Sequence, residues 1–358
     1  MPIVRTAIGL MSGTSLDGID AAIIKTDGHK VELTDYFVTV PYKQEFRERI
    51  RKYFGRITDL GDIERDITLA HESAVKLLLE EAKMHPGDVD VIGFHGQTIF
   101  HDPDNGVTKQ IGDGALLAKL TGINVVNDFR SNDMKLGGQG APLVPLFHFA
   151  LFQDREKPIA AINIGGVSNI TYIPGDDENE IVAFDTGPGN ALIDDWMLKH
   201  YGRPYDDGGQ VAASGEVNEQ MLFALLSHKY FDKRPPKSLD RDSFSSRPLS
   251  SLTPEDGAAT LAAFTAQSIV KSVNHLKKEP ISWVILGGGR HNKFIMKQLS
   301  ESLQDNVYTA EDWGINGDAI EAQAFAYLAV RSIEGLPLSL PLTTGVKYAA
   351  TGGVFCPA

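Results

Sequence analysis

Ile8-Gly9-Leu10-Met11-Ser12-Gly13-Thr14-Ser15-Leu16-Asp17-Gly18-Ile19-Asp20 is an apolar stretch that breaks at a Gly/Ser/Thr turn and then resumes as a second apolar stretch. Strand, tight turn and strand is the pattern expected of a hairpin. Gly9, Gly13 and Gly18 can reach positive φ or let a ligand approach the backbone. Ser12, Thr14 and Ser15 add hydroxyls, and Asp17 and Asp20 add carboxylates that could hold a metal or polarise a water. Successive backbone N–H groups in such a turn can converge on an anion, so a phosphate cradle is one reading. An ordinary hairpin loop is the other, because Gly and Ser are common turn residues for purely local reasons.

The plan recurs. Ala160-Ala161-Ile162-Asn163-Ile164-Gly165-Gly166-Val167-Ser168-Asn169-Ile170-Thr171-Tyr172-Ile173 is again apolar strand, glycine turn, apolar strand. Val284-Ile285-Leu286-Gly287-Gly288-Gly289-Arg290 ends a further apolar strand in glycine, as does Val91-Ile92-Gly93-Phe94-His95-Gly96-Gln97-Thr98 earlier in the chain. Each of these follows a long helical stretch. The sequence therefore reads as two related halves, a duplication of pattern rather than of identity.

A chain of 358 residues suggests two domains. Hydrophobic content of 42% and charged content of 23% belong to a globular protein. No apolar run approaches a membrane span. The start, Met1-Pro2-Ile3-Val4-Arg5, has no signal-peptide layout. The single cysteine, Cys356, excludes an intramolecular disulfide and fits a reducing cytoplasm. A net charge of −13 and the lack of a basic stripe argue against nucleic acid as a partner. The basic run from Arg47 to Arg56 alternates with apolar and acidic residues and reads as a solvated helix face. A polyphosphate bound by so acidic a chain needs local donors and a cation.

Residues 4–40 read as a three-stranded meander and 44–54 as a short helix. Ile63, Ile67, Ala70, Ala74 and Leu77 mark one face of a helix over 59–84, with His71 packed or at the surface, and Pro86-Gly87 ends it. Strands at 89–94 and 123–126 follow, with a short helix at 113–120 between them. Gly137-Gly138-Gln139-Gly140-Ala141-Pro142 is either a hinge between halves or a binding loop. Strands at 159–164, 169–173 and 181–185 form a second meander. Helices at 190–201, 217–228 and 254–277, strand 281–286 and helices 291–303 and 317–333 complete the second half; Thr253 caps the helix that opens with Pro254. This alternation indicates α/β architecture with mixed sheets.

Phe184-Asp185-Thr186-Gly187-Pro188-Gly189-Asn190 is the sharpest candidate for catalysis. Asp185 closes an apolar strand, where a carboxylate can be fixed and accessible and serve as a general base. It could equally cap the next turn. Gly187 and Gly189 permit close approach, and the helix starting near Asn190 presents free N–H groups. Gln97 and Thr98 suit sugar hydroxyls, and Arg130 in Asp128-Phe129-Arg130 offers a fork for a carboxylate, though each could be a turn-supporting residue. His95 and His101 lack a metal partner at clear spacing. Glu321 could be a solvated charge or a helix-dipole partner.

Together these motifs resemble the sugar kinase/heat-shock ATPase/actin superfamily. Gly9 to Asp20, His95-Gly96-Gln97-Thr98, Gln110-Ile111-Gly112-Asp113-Gly114, Asp128-Phe129-Arg130, Gly137 to Pro145, Phe184 to Asn190 and Gly287-Gly288-Gly289 are similar, in order and across nearly the whole chain, to the anhydro-N-acetylmuramic acid kinase family. The resemblance implies two related α/β domains of the actin-like ATPase (ribonuclease H-like) type, mixed sheets flanked by helices, and an interdomain cleft. The expected domains are 1–135 plus 340–358, and 136–339, hinged near 134–142 and 335–345. It implies an enzyme of peptidoglycan recycling that uses ATP and Mg2+ to open 1,6-anhydro-N-acetylmuramic acid with water and phosphorylate O6, in the cytoplasm, with a homodimer admitted. Asp185 would be the base. Gln97, Thr98, Arg130 and Glu321 would contact the sugar. Gly13, Thr14, Ser15, Leu16, Asp17, Gly18, Ile19, Asp20, Gly165, Gly166, Gly187, Gly287, Gly288 and Gly289 would hold the nucleotide. Met11 stands where many superfamily relatives carry Asp, which leaves Asp17, Asp20 and Asp185 as metal candidates. Pro236-Lys237-Ser238-Leu239-Asp240-Arg241-Asp242 lacks the family's usual Gly before Arg and leaves Arg241 without a role. Another amino-sugar kinase, or a nucleotide-gated binding module without turnover, are the alternatives.

Overall fold

The apolar stretches on either side of the first turn form β1 (Arg5–Ser12) and β2 (Gly18–Thr26), which pair antiparallel, and β3 (Val31–Pro41) pairs antiparallel with β2. This is a computed structural model that describes residues 3–103 and 105–358. β4 (Val91–Asp102) returns parallel to β1, β5 (Val107–Ile111) turns back on β4, and β6 (Val125–Asn127) lies parallel to β4. The strand Val354–Cys356 adds an edge beside β6. The sheet order β3-β2-β1-β4-β6 is thus three antiparallel strands followed by two parallel to the first.

The second sheet repeats this plan. β7 (Ile159–Ile164), β8 (Val167–Ile173) and β9 (Val182–Pro188) form the antiparallel meander. β10 (Ser282–Leu286) runs parallel to β7, and β11 (Val307–Thr309) runs parallel to β10. The order is β9-β8-β7-β10-β11, the same as the first. The duplication read from pattern is therefore a duplication of topology, and the expected α/β class with two mixed sheets flanked by helices is the class observed. In each half a long helix, Ile63–Ala82 or Pro254–Lys271, joins the meander to the first parallel strand.

Packing explains the helices. Ile63–Ala82 buries Ile63, Ile67, His71, Ala74, Val75 and Leu78 against the first sheet, while Leu77 is exposed, so the expected apolar stripe is one residue out of phase at its end. Each fully buried aliphatic side chain of that stripe contributes about 1.5–3 kcal/mol. Pro254–Lys271 begins as its sequence predicts, with Thr253 Oγ1 accepting from Asp256 N at 3.1 Å. It crosses Trp196 at Gly257, where a Cβ would stand 2.1 Å from the indole.

The domain bounds differ from those expected. One unit comprises the described residues up to Gln153 together with Ala319–Ala358, and the other is Asp154–Asp318. Helix Ile320–Ile333 falls in the first because Gly9 and Gly93 let it lie directly on β1 and β4: a Cβ at Gly9 would stand 1.7 Å from Ala322 O, and one at Gly93 2.0 Å from Phe325 O. The Gly137–Pro142 stretch is no hinge between the units. Buried Asp133 binds Gly140 N (2.6 Å), Ser339 and Thr344 (2.6 Å), and Gln139 N donates to Thr344 O, which knots both expected hinge segments together inside the first unit. Among the described residues no helix is long and apolar enough to cross a membrane.

Candidate active site

The β1–β2 turn is braced by side chains. Ser12 Oγ is 3.0 Å from Gly18 O, 3.1 Å from Tyr42 Oη and 2.7 Å from Gln97 Oε1. Gln97 Nε2 donates to Gly13 O at 3.1 Å and to Thr98 O at 3.2 Å. Leu16 sits at φ 61° and donates its N–H to Gly13 O, a tight left-handed turn whose side chain is fully buried. From outside, Arg47 Nη2 reaches Asp17 Oδ1 (3.2 Å) and Ser15 O (3.4 Å). Arg47 is thus a turn brace rather than part of a purely solvated face. Thr14 and Ser15 are exposed at the tip.

This geometry sorts the expected site residues of the turn. Gly13, Thr14, Ser15 and Asp17 lie at its accessible rim. Leu16 and Ile19 are core residues, and Gly18 is glycine because a Cβ there would stand 2.5 Å from Val40 O. Asp20, on β2, accepts from Thr39 Oγ1 at 2.6 Å. Gln97 is fully buried under the turn, with its amide hydrogens donated to Gly13 O and Thr98 O. Thr98 Oγ1 accepts from Gln110 Nε2 at 3.2 Å. His95 to Thr98 lie within β4 rather than beyond its end. Gly96, at φ 73°, marks a bulge where Leu10 pairs with Phe94 but Ser12 pairs with Gln97.

Arg130 is oriented by a neutral histidine. His95 Nδ1–H donates to Gly96 O (2.8 Å), which leaves Nε2 to accept from Arg130 Nε at 3.0 Å. Burial, then the Arg130 charge, hold the His95 imidazole well below its usual range, so it stays uncharged and suits this acceptor role. Arg130 Nη1 donates to Gly140 O at 2.6 Å, and Nη2 has no protein partner among the described residues. Burial lowers the guanidinium to about 10 against the pull of Glu321 and Asp133. Glu321, at the start of Ile320–Ile333, keeps solvent contact. Crowding by the protein, then Asp20, raise its carboxyl above the usual range, and Arg130 opposes the rise. Asp20, Glu321 and Arg130 therefore form one electrostatic group at the sheet's carboxyl end.

In the second unit the β7–β8 turn is held mainly by backbone, with the Asn190 Nδ2 amide donating to Ile164 O at 3.1 Å just before it. Asn190 N donates to Gly165 O at 2.7 Å, and Gly189 N and Ala191 N donate to Gly166 O at 3.0 and 3.2 Å. Gly189 must lack a Cβ, which would stand 2.2 Å from Gly165 O. Gly166 is exposed. Gly187 is different: it is buried, and a Cβ would stand 2.4 Å from Ser268 Oγ, so it serves packing and not ligand approach. Gly287 and Gly289 pack against Asn163 and Ile164 of β7, whereas Gly288 faces open space. Arg290, nearly buried, ties this glycine turn to Glu311 (3.0 Å) and Asp318 (2.8 Å).

Asp185 is the poised carboxylate of the second unit. It lies on β9, partly exposed, with Oδ2 accepting from Leu239 N at 2.7 Å. Its own N donates to Lys237 O at 3.0 Å, and its carbonyl accepts from Tyr230 Oη at 2.5 Å. Oδ1 takes no hydrogen bond from the described residues. Burial, relieved by Leu239 N–H and reinforced by Asp240, raises the carboxyl to about 7. A carboxylate poised there can accept a proton near neutral pH. Lys237, Tyr230 and Leu239 are missed by sequence reasoning, because a buried lysine and a backbone N–H leave no motif. Arg241, noted for its neighbourhood, instead forms a surface pair with Asp195 at 2.7 Å.

The metal candidates do not assemble a site. Asp17 faces Arg47, Asp20 faces Thr39 and Asp185 faces Leu239. Among the described residues no group of three or more His, Cys, Asp or Glu could hold a metal ion.

Comparison with known proteins fits these observations. The family model described as anhydro-N-acetylmuramic acid kinase matches residues 5–358. An anhydro-N-acetylmuramic acid kinase of Rhodospirillum rubrum is 48% identical over 98% of this chain and 94% of its own length. One of Rhizorhabdus wittichii is 49% identical over 97% and 98%. Among solved structures, the (R)-2-hydroxyglutaryl-CoA dehydratase component A of Acidaminococcus fermentans aligns at TM-score 0.48 and 13% identity over 91% of this chain and 99% of that one. A ROK hexokinase of Thermus thermophilus aligns at 0.40 and 14% over 91% and 99%. With the family model matched from residue 5 to residue 358 and relatives 48–49% identical over nearly their full length, the chain belongs to the anhydro-N-acetylmuramic acid kinase family.

Proposed function

We propose that the protein uses ATP to phosphorylate 1,6-anhydro-N-acetylmuramic acid while opening its anhydro ring with water, giving N-acetylmuramic acid 6-phosphate and ADP. The observation that carries this reading is Asp185, a carboxylate that burial raises to about 7, with Oδ2 held by Leu239 N–H and Oδ1 given no hydrogen bond by the described residues. Asp185 Oδ1 takes a proton from water as the water oxygen bonds to C1. The C1–O6 bond breaks, and O6 takes the γ-phosphoryl group from ATP, whose leaving group is ADP. The proton on Asp185 then passes to solvent. No strong nucleophile is needed from the protein, so alignment of water, C1–O6 and the γ-phosphate supplies most of the effect.

The rest of the site is assigned to binding. Exposed Gly166 and the rim of the β1–β2 turn, Gly13 to Asp17, present backbone groups to phosphates, and Gly288 borders the nucleoside. Arg130 Nη2 meets the sugar's lactyl carboxylate, with Thr98 and Glu321 at its hydroxyls. ATP carries magnesium on its phosphates in such reactions. Among the described residues no three carboxylates gather into a cage for the metal, and no step here depends on one.

Purified protein incubated with ATP, magnesium and the anhydrosugar in ¹⁸O-labelled water tests the reading by mass spectrometry. A ring-opened phosphate carrying one label at C1 is expected. A phosphorylated sugar with its ring intact, or ADP release that no sugar stimulates, would break it.

A further inference from the structure

Lys237 is a buried cation, 7% exposed, that forms no ion pair among the described residues. Its Nζ donates to Tyr230 O at 3.3 Å and lies 3.1 Å from His275 Nε2. It also lies 4.6 Å from the centre of the Tyr230 ring and 5.4 Å from that of Phe184. An ammonium taken from water without a counter-ion is unfavourable, and carbonyl and aromatic faces offset only part of the loss. A lysine in such a place calls for a reason beyond local packing.

The reason lies one strand away. Lys237 O accepts from Asp185 N, Leu239 N donates to the Asp185 carboxylate, and Tyr230 Oη donates to Asp185 O. Lys237 O and Leu239 N are two residues apart in one segment outside the sheets, and both bond Asp185, so the placement of that segment sets both bonds. Leu239 packs, partly buried, against the second unit's core, and Lys237 is the segment's buried side chain, which holds the same Tyr230 that grips the Asp185 carbonyl.

We propose that Lys237 is a positioning residue for Asp185: its ammonium, fixed on the Tyr230 carbonyl between two aromatic rings, sets the register at which Leu239 N–H meets the base. This rests on the reading of Asp185 as the base. Asp232 favours the Lys237 charge, Lys233 and Lys271 oppose it, and burial lowers the ammonium to about 8, so it remains largely charged at neutral pH. Burial likewise keeps the neighbouring His275 below its usual range. Asp240 and Tyr230 are the ionisable groups facing Asp185. Without Lys237, the Leu239 bond slackens, the carboxylate loses its one protein donor, and it protonates at higher pH.

The test uses the full chain with Lys237→Met, Tyr230→Phe and Asp185→Asn. In Lys237→Met, kcat at pH 7 falls about 10–100-fold while KM for ATP and for the sugar changes less than about threefold. The acid limb of the kcat profile moves to higher pH, so much of the loss is recovered near about pH 9. Tyr230→Phe moves the limb in the same direction by less. A loss equal at every pH, or an unmoved limb, overturns the proposal. If Lys237→Met does not fold, Lys237→Gln, a milder loss of the ammonium at the same side chain, decides by the same criterion. Asp185→Asn separates the two readings: an active Asp185→Asn enzyme overturns the base itself, whereas an inactive one beside an unshifted Lys237→Met profile overturns only the positioning role.

Discussion

The two glycine turns occupy the same place in two sheets of the same order, yet they are held by opposite means. The β1–β2 turn is longer and rests on side chains: Ser12, Tyr42 and Gln97 beneath it and Arg47 outside it. The β7–β8 turn is two glycines gripped by the N–H groups of Gly189, Asn190 and Ala191. A duplicated scaffold has thus been furnished twice. A side-chain brace tolerates graded change, because each hydrogen bond can be lost alone. A backbone grip does not, because it needs close approach at one glycine.

That contrast is broken most sharply at Gly189. Its Cβ would stand 2.2 Å from Gly165 O, so Gly189→Ala must push the turn away from the helix Ala191–Tyr201. A loss of about 3 kcal/mol is expected on denaturant unfolding, with the exposed Gly166 displaced and KM for ATP raised. A variant of unchanged stability and KM would mean that the grip is dispensable.

Asp185 beside that turn gives the next largest effect, and its sign is informative. Its carboxyl titrates at about 7 in the fold against a usual 3.8, so the protonated form is the one the fold favours. The stability it contributes is full below about pH 4 and is lost as pH rises through about 7. Asp185→Asn keeps the acceptor for Leu239 N–H without the charge. It should match the wild type near about pH 4 and exceed it by on the order of 2 kcal/mol above about pH 8. Thermal unfolding at the two pH values measures this; a variant less stable at the higher pH would show that the carboxylate is well solvated.

The side-chain brace is sharpened by Gln97→Leu. The change removes the Gln97 bonds to Ser12 Oγ and Gly13 O under the first turn, while Gly18 O, Tyr42 Oη and Leu16 N–H still partner those atoms, and about 1–3 kcal/mol is expected from the two lost hydrogen bonds. The turn loosens, and KM for ATP rises with kcat less affected. Equal stability with unchanged KM would mean that Ser12 and Tyr42 suffice.

Much of this molecule is legible from sequence because its signals are local. A Gly/Ser/Thr turn between apolar runs yields β1–β2 and β7–β8 nearly to the residue, and Thr253 with Pro254 marks a helix start through its own side chain. The signals that fail are those carried by distant partners. Gly9 reads as a glycine for positive φ or ligand approach and Gly93 as part of a glycine-ended strand, but both admit a helix more than two hundred residues downstream, and with it the first unit takes in residues from Ala319 on as well as the expected C-terminal segment. Leu77 and Leu78 are adjacent, so a 3.6-residue period cannot choose between them without the sheet they face. β5, β11 and Val354–Cys356 are short strands whose neighbours define them. Asp185 stands out in sequence because a carboxylate at a strand end before two glycines is unusual, whereas Lys237 looks like any surface lysine until its surroundings are known.

Arg47→Ala sets the lower bound of the contrast. Arg47 and Asp17 are 3.2 Å apart with side chains 27% and 76% exposed, so water screens most of their attraction. Such pairs contribute within about 1 kcal/mol, and removing this one leaves neither partner buried and uncompensated. Yet the same guanidinium also reaches Ser15 O, so its removal frees the exposed rim of the first turn without touching Ser12, Tyr42 or Gln97 below. The expected result is an unchanged melting temperature and a small rise in KM for ATP, about two- to threefold, that grows no larger in high salt, where the pair is already screened. A large fall in stability would move Arg47 from the rim to the foundation of the turn, and the distinction between a graded brace and an all-or-none grip would have to be redrawn around it.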